Sequence, residues 1–245
     1  MQVLVLAAGK GTRLKPYTDS MNKCMIPIEG KPLLYHNLLQ CMRSSDNITD
    51  IVIVVGYKKE DIISYFGYMF MGKPIKYVYQ EKLNGIAGAV SLAASMISAD
   101  SFLLVLGDML LIESHLPQVV TAFHSLHPDG LCGVVKGKSL EEMRDNYTLH
   151  FDSTGKIDKI VDKPNVPFND YMGTGYFLLS SKTLNYVNHT PVDSITKQRG
   201  VCEWLELCIQ AGLTFYPSIV GKDAINLNNP NSLDMIQTRL NYGGQ

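Results

Sequence analysis

No apolar run in this 245-residue chain reaches the roughly 18 residues that a bilayer-crossing helix needs, so a membrane protein of the helical type is not expected. A secretory leader is not expected either. Met1-Gln2 carries no charged n-region and leads straight into Val3-Leu4-Val5-Leu6 and a glycine loop, which suits a cytoplasmic chain. Cysteines stand at 24, 41, 132, 202 and 208, an odd number with no Cys-x-x-Cys spacing. That argues against a disulfide framework or a zinc site and for reduced thiols filling small core positions. The six histidines form no His-x-x-x-His pair, and no serine nucleophile elbow is present. Charge is nearly balanced, with a formal net of −1, so no global field draws the chain to nucleic acid or an anionic membrane. Any phosphate binding must come from a local site.

Also missing are internal repeats, low-complexity tracts and a linker between two cores. The chain is 46% hydrophobic and 18% charged, an ordinary globular balance. Its length suits one large α/β domain spanning 1–245. Self-association is compatible with the sequence.

Strand-length apolar runs alternate with longer helix-like segments. Gln2–Leu6, Ile51–Val55, Ile75–Tyr79 and Phe102–Leu106 read as strands, separated by helices over Pro32–Arg43, Lys59–Phe66 and Gly88–Ser98. The runs are continuously apolar rather than alternating, which predicts burial on both faces. The expected fold is therefore α/β, a doubly wound, mostly parallel, Rossmann-like mixed sheet. Beyond it, Leu131–Val135, Gly175–Ser180 and Leu213–Tyr216 read as strands. Leu149–Asp152 and Lys156–Val161 form a hairpin across Ser153-Thr154-Gly155. Ser181–Val187, Val201–Ala211 and Asn231–Tyr242 read as helices. No element is assigned between Gly107 and Gly130.

The strongest local signal is Leu6-Ala7-Ala8-Gly9-Lys10-Gly11-Thr12-Arg13-Leu14. A strand runs into a glycine-rich turn that ends in Thr and Arg. Such a backbone can approach phosphates closely with its N–H groups aimed at them, and Arg13 adds a planar cationic fork. Gly-Lys-[Ser/Thr] is absent, so the loop is not a Walker A sequence. Lys23 follows in Asn22-Lys23-Cys24-Met25-Ile26-Pro27-Ile28, and Gly30-Lys31-Pro32-Leu33 comes next. Asp108 closes the Phe102–Leu106 strand, where α/β proteins present groups to a ligand crevice. Gln80-Glu81-Lys82-Leu83-Asn84-Gly85-Ile86-Ala87 follows the Ile75–Tyr79 strand, and a glutamine amide offers both donor and acceptors.

Together these segments resemble the signature of the sugar-phosphate nucleotidyltransferase family, L-A-A/G-G-x-G-T-R-L-x-P-L-T-x-x-x-P-K-x-M-x-P. Pro16, Thr18, Lys23, Met25 and Pro27 all fall in place, while Asn22 stands where the family has proline. Asp162-Lys163-Pro164 is similar to the family's E-K-P, with Asp for Glu, and Gly173-Thr174-Gly175-Tyr176-Phe177 to its N/T-G-x-Y strand. The resemblance covers the chain from Val3 to about Leu233.

It implies a Mg²⁺-dependent enzyme that joins a nucleoside monophosphate from UTP, dTTP or CTP to a sugar 1-phosphate or similar acceptor and releases pyrophosphate. Residues 1–110 would hold the nucleotide and 111–245 the acceptor. The implied nucleotide contacts are Leu6, Ala8, Gly9, Gly11, Thr12, Arg13, Gln80 and Gly85. Arg13, Lys23 and Asp108 would be the catalytic groups. Acceptor contacts would come from Lys23, Asp162, Lys163 and the backbone N–H of Gly175. Mg²⁺ would sit on Asp108 and on Asn226, the residue at the position of the family's second aspartate, with Asp223 a nearby substitute. Two other functions fit the same residues: a cytidylyltransferase for a non-sugar phosphate such as phosphocholine, and a silent nucleotide-binding regulator. A dinucleotide-dependent oxidoreductase does not fit, because Val55-Gly56-Tyr57-Lys58 lacks the ribose-binding acid.

Overall fold

The computed structural model describes residues 1–242. An eight-stranded sheet runs, edge to edge, through Phe215–Ile219, Gly130–Lys136, Tyr171–Ser180, Ser101–Leu106, Gln2–Ala7, Ile51–Val55, Lys73–Tyr79 and Met69–Phe70. Gln2–Ala7 is parallel to both neighbours, with Leu4 opposite Val52 on one side and Leu104 on the other. Ile51–Val55 is parallel to Lys73–Tyr79. Tyr171–Ser180 runs antiparallel to both of its neighbours, so the sheet is mixed but mostly parallel, as the apolar rhythm predicts.

Both faces are covered. Leu34, Leu38, Ile62, Phe66, Val119 and Phe123 pack on one side, and Ala87, Val90, Ala93, Trp204 and Leu205 on the other. The β-branched run Ile51–Val55 is buried throughout. A third cluster of Leu14, Ile28, Leu33, Leu110, Ile225, Leu227 and Ile236 ties the segment after the glycine loop to the C-terminal helix Pro230–Tyr242.

Most expected elements form within a few residues of their predicted ends. The Lys59–Phe66 helix forms as expected. The next one starts at Ile86 rather than Gly88 and tightens into a 3₁₀ turn over Ala94–Met96. The late strand shifts to Phe215–Ile219, where Pro217 is tolerated because this is an edge strand. The segment after Gly107 departs most from expectation. Met109–Ser114 forms a strand antiparallel to Gly221–Asn226, and Leu116–Leu126 forms a helix. That extra strand pair lies at the end of the central sheet and carries the chain back to Asp108. No described helix is long and apolar enough to cross a membrane.

Candidate active site

The glycine loop leaves the first sheet strand after Ala7. Gly11 adopts φ 60 and ψ 38, the left-handed region that only glycine enters without strain. A Cβ here would lie 2.9 Å from the Cβ of Lys23 and 3.0 Å from the Thr18 side chain. Thr18 donates its hydroxyl to Gly11 O at 2.9 Å. The loop is thus folded down onto the stem of Lys23.

Asn22, where the family has proline, explains itself in the structure. It is fully buried, and its Nδ2 donates to Ala7 O at 3.1 Å and to Tyr57 O at 2.6 Å. Its Oδ1 accepts from Cys24 N, and its own N–H donates to Asp61. One side chain therefore fastens the end of the first strand, the start of the Lys59–Phe66 region and the Lys23 turn. Asn22→Ala would strand buried carbonyls and is expected to cost about 2–3 kcal/mol. Scanning calorimetry should show Tm falling by roughly 5–10 °C for a chain of this size.

Four polar groups converge beside the loop. The Lys23 side chain, 9% exposed, places its Nζ 2.7 Å from Asp108 Oδ2 and 2.9 Å from Asn228 Oδ1. Arg13 donates to the same Asn228 oxygen at 3.1 Å. Asp108 is held from behind: its carbonyl accepts Leu227 N at 2.8 Å, and Gly107 O accepts Asn37 Nδ2 at 2.9 Å. Asn37 in turn accepts the Tyr176 hydroxyl at 3.0 Å, with both side chains buried. Burial pushes the Tyr176 pKa well up, so it stays a donor. Gly9, Gly11, Thr12, Arg13, Lys23, Asp108 and Asn228 enclose a hollow of about 200 Å³.

Asn228, two residues beyond Asn226, is the amide that hydrogen-bonds to Lys23 and Arg13 at this centre. Sequence reasoning passed it over because matching the family's aspartate position stops two residues earlier. Asn226 ends the Gly221–Asn226 strand opposite Met109, and its Oδ1 is buried with no hydrogen-bond partner. Asp223 is buried on that strand in an ion pair with Lys138.

A second cleft of about 350 Å³ opens alongside. Leu6, Ala8, Leu83, Ile86, Ala89 and Leu106 give it apolar walls, and Gln80 also lines it. Lys23, Cys24 and Asp108 border it on the polar side. Burial pushes the Cys24 thiol far up, which keeps it protonated and unsuited to nucleophilic attack. Gly85 has φ 96, and a Cβ on it would fall 2.3 Å from Arg199 O. Here the loop is zipped to a second segment: Arg199 N donates to Asn84 O at 2.8 Å, and Ala87 N to Arg199 O at 3.0 Å.

Of the expected acceptor groups, Asp162 lines a smaller hollow of about 150 Å³ with Arg199 and Glu203. That hollow shares Gly85, Ile86 and Gln198 with the apolar cleft. Lys163 lines none of these hollows; it sits at φ 47 with its N–H on Asn146 O. Gly175 turns its N–H onto the Met109 sulfur at 3.0 Å, and Leu106 lies where its Cβ would be. Gln198 and Arg199 went unnoticed in the sequence because they end a polar stretch with no motif. The one available signal was a cation placed just before the Val201–Gln210 helix.

Among the described residues, no three His, Cys, Asp or Glu side chains gather as a metal site. The available donors are one carboxylate, Asp108, with the amide oxygens of Asn228 and Asn226 nearby in the chain. This all-oxygen set suits Mg²⁺, which takes few protein ligands and completes its shell with water and phosphate oxygens.

A family model described as nucleotidyl transferase matches residues 2–216. The UTP–glucose-1-phosphate uridylyltransferase AglF of Haloferax volcanii is 31% identical over 98% of this chain and 96% of its own length. A glucose-1-phosphate thymidylyltransferase of Streptomyces griseus is 29% identical over 74% of this chain and 49% of its own. Among solved structures, a putative glucose-1-phosphate thymidylyltransferase from Bacillus anthracis superposes with a TM-score of 0.85 at 23% identity, over 97% of this chain and 94% of that one. A UDP-glucose pyrophosphorylase complexed with UDP-glucose gives 0.86 at 19% identity, over 98% of both chains.

Proposed function

Because the chain belongs to the nucleotidyl transferase family, we propose that it moves a uridylyl or thymidylyl group from the nucleoside triphosphate onto a sugar 1-phosphate, with release of pyrophosphate. The observation that supports this most is the meeting of Arg13, Lys23, Asp108 and Asn228 at the mouth of the glycine loop, beside an apolar cleft lined also by Gln80. In this reading residues 1–110 supply most of the nucleotide site. The later half brings the acceptor side through Asp162 and Arg199.

An acceptor phosphate oxygen attacks the α-phosphorus in line. The new P–O bond forms as the bond to the β-bridging oxygen breaks, and pyrophosphate leaves. Two anionic phosphates must be brought together, so most of the rate comes from position and fixed positive charge. Arg13 would hold triphosphate oxygens through its planar guanidinium. Lys23, already within 3 Å of two oxygens, exchanges one of them for a phosphate oxygen as the substrates enter. Bound Mg²⁺, held by Asp108 with Asn228 or Asn226, would supply charge that offsets the phosphates. No protein nucleophile is required.

The test is pyrophosphate release over a matrix of nucleoside triphosphates against hexose 1-phosphates and phosphocholine. UTP or dTTP with a hexose 1-phosphate is expected to give the signal, and chelation by EDTA to remove it. A signal confined to CTP with phosphocholine would overturn the acceptor class. Silence throughout, with nucleotides still raising Tm, would point to a binding protein without turnover.

A further inference from the structure

The Gln80 amide, which lines the apolar cleft, does not rotate freely. Gln80 is 4% exposed, and its Nε2 donates to Asn84 Oδ1 at 2.9 Å. Among the described residues no donor reaches Gln80 Oε1. Asn84 cannot easily turn away. Its carbonyl accepts Arg199 N at 2.8 Å, and its amide group lies flat over Gly88. A Cβ on Gly88 would meet Asn84 Oδ1 at 2.1 Å and Cγ at 2.4 Å, so only glycine at 88 leaves room for Asn84 in this pose. The side chain of Asn84 itself is not among those lining the cleft.

We propose that Asn84 is a positioning residue that locks the Gln80 amide with its carbonyl oxygen toward the ligand, making the cleft selective for a base with a ring N–H, uracil or thymine, over cytosine. Oε1 accepts the N3–H of a 4-keto pyrimidine. Cytosine presents a lone pair at that position, and two acceptors then face each other in a cleft walled mostly by apolar side chains. A free glutamine would evade the clash by flipping its amide; with Asn84 Oδ1 on Nε2, Gln80 can flip only if the Asn84 amide flips with it, which would turn the donor Nδ2 onto Gly88 in the donor-rich first turn of the Ile86–Ala93 helix. The selectivity rests on the nucleotide-binding role proposed above, yet it can fail alone.

The experiment measures the dissociation constants of UTP, dTTP and CTP by calorimetry, which needs no turnover, on the wild type and on Asn84→Ala, Asn84→Asp and Gly88→Ala. The wild type is expected to prefer UTP or dTTP over CTP by about 10- to 100-fold, the effect of one mispaired buried polar contact. Asn84→Ala should bring that ratio near one, chiefly by improving CTP binding. Gly88→Ala should do the same by displacing the Asn84 side chain. Asn84→Asp, whose carboxylate still accepts from Nε2, should keep the preference. A purely structural role for Asn84 would weaken all three nucleotides together and leave the ratio intact, which would overturn the proposal while sparing the proposed function. A wild-type ratio near one would do likewise. Absence of any nucleotide binding would defeat both.

Discussion

Asp108→Ala is expected to lower pyrophosphate release by about a thousandfold, with little change in fold. Among the described residues Asp108 is the one carboxylate lining the proposed phosphate site, and its side chain is 30% exposed. Removing it takes away the anchor proposed for Mg²⁺ and frees Lys23 to collapse onto Asn228. Losing one group aimed at developing charge costs about 10²–10³ in turnover; a lost metal anchor belongs at the upper end. The backbone around position 108 is held independently, through Leu227 N, Asn37 and Leu6 O, so Tm should stay within a few degrees. Steady-state kinetics beside thermal melting checks both halves. A variant with near-normal turnover would remove Asp108 from the chemistry.

Lys23→Met carries the second large effect, a loss of roughly 10²–10³ in kcat. Methionine is the instructive choice because the lysine stem is a structural part: its Cβ and Cδ lie 2.9 and 3.2 Å from where a Gly11 Cβ would be. An apolar side chain of similar length keeps that packing and deletes only the ammonium group. Stability should then change by no more than about 1 kcal/mol, since the partner left behind, Asp108, is 30% exposed and is solvated by water. The cost should fall on kcat more than on KM if Lys23 meets charge that grows in the transition state. An equal loss in stability and in rate would make Lys23 a structural residue instead.

The parts of the site legible in the sequence are those where chemistry and chain order coincide. Gly9, Gly11, Arg13 and Lys23 lie within fifteen residues at fixed spacings, and Asp108 closes an apolar run that could only be a buried strand. The sheet was legible for the same reason, because continuous apolar runs admit few other placements. Asn228 was not, since its place depends on the pairing of Met109–Ser114 with Gly221–Asn226, and neither run announces its partner. Asn22 looked like a lost proline; only the packed structure reveals a four-bond clamp. Asn84 carries no sequence signal of its own, and its hold on Gln80 needs side-chain directions that spacing does not encode. Lys163 and Gly175 show the converse: a motif match places a residue in sequence, while local backbone decides whether it faces the cleft.

The transfer itself is tested most directly by following the label from UTP or dTTP labelled at the α- or the γ-phosphorus, with Mg²⁺ and a hexose 1-phosphate. The account predicts that α-label appears in a product joined to the hexose phosphate, γ-label appears in pyrophosphate, and both transfers stop in Asp108→Ala. Inorganic phosphate carrying the γ-label, or α-label found only in free nucleoside monophosphate, would contradict it.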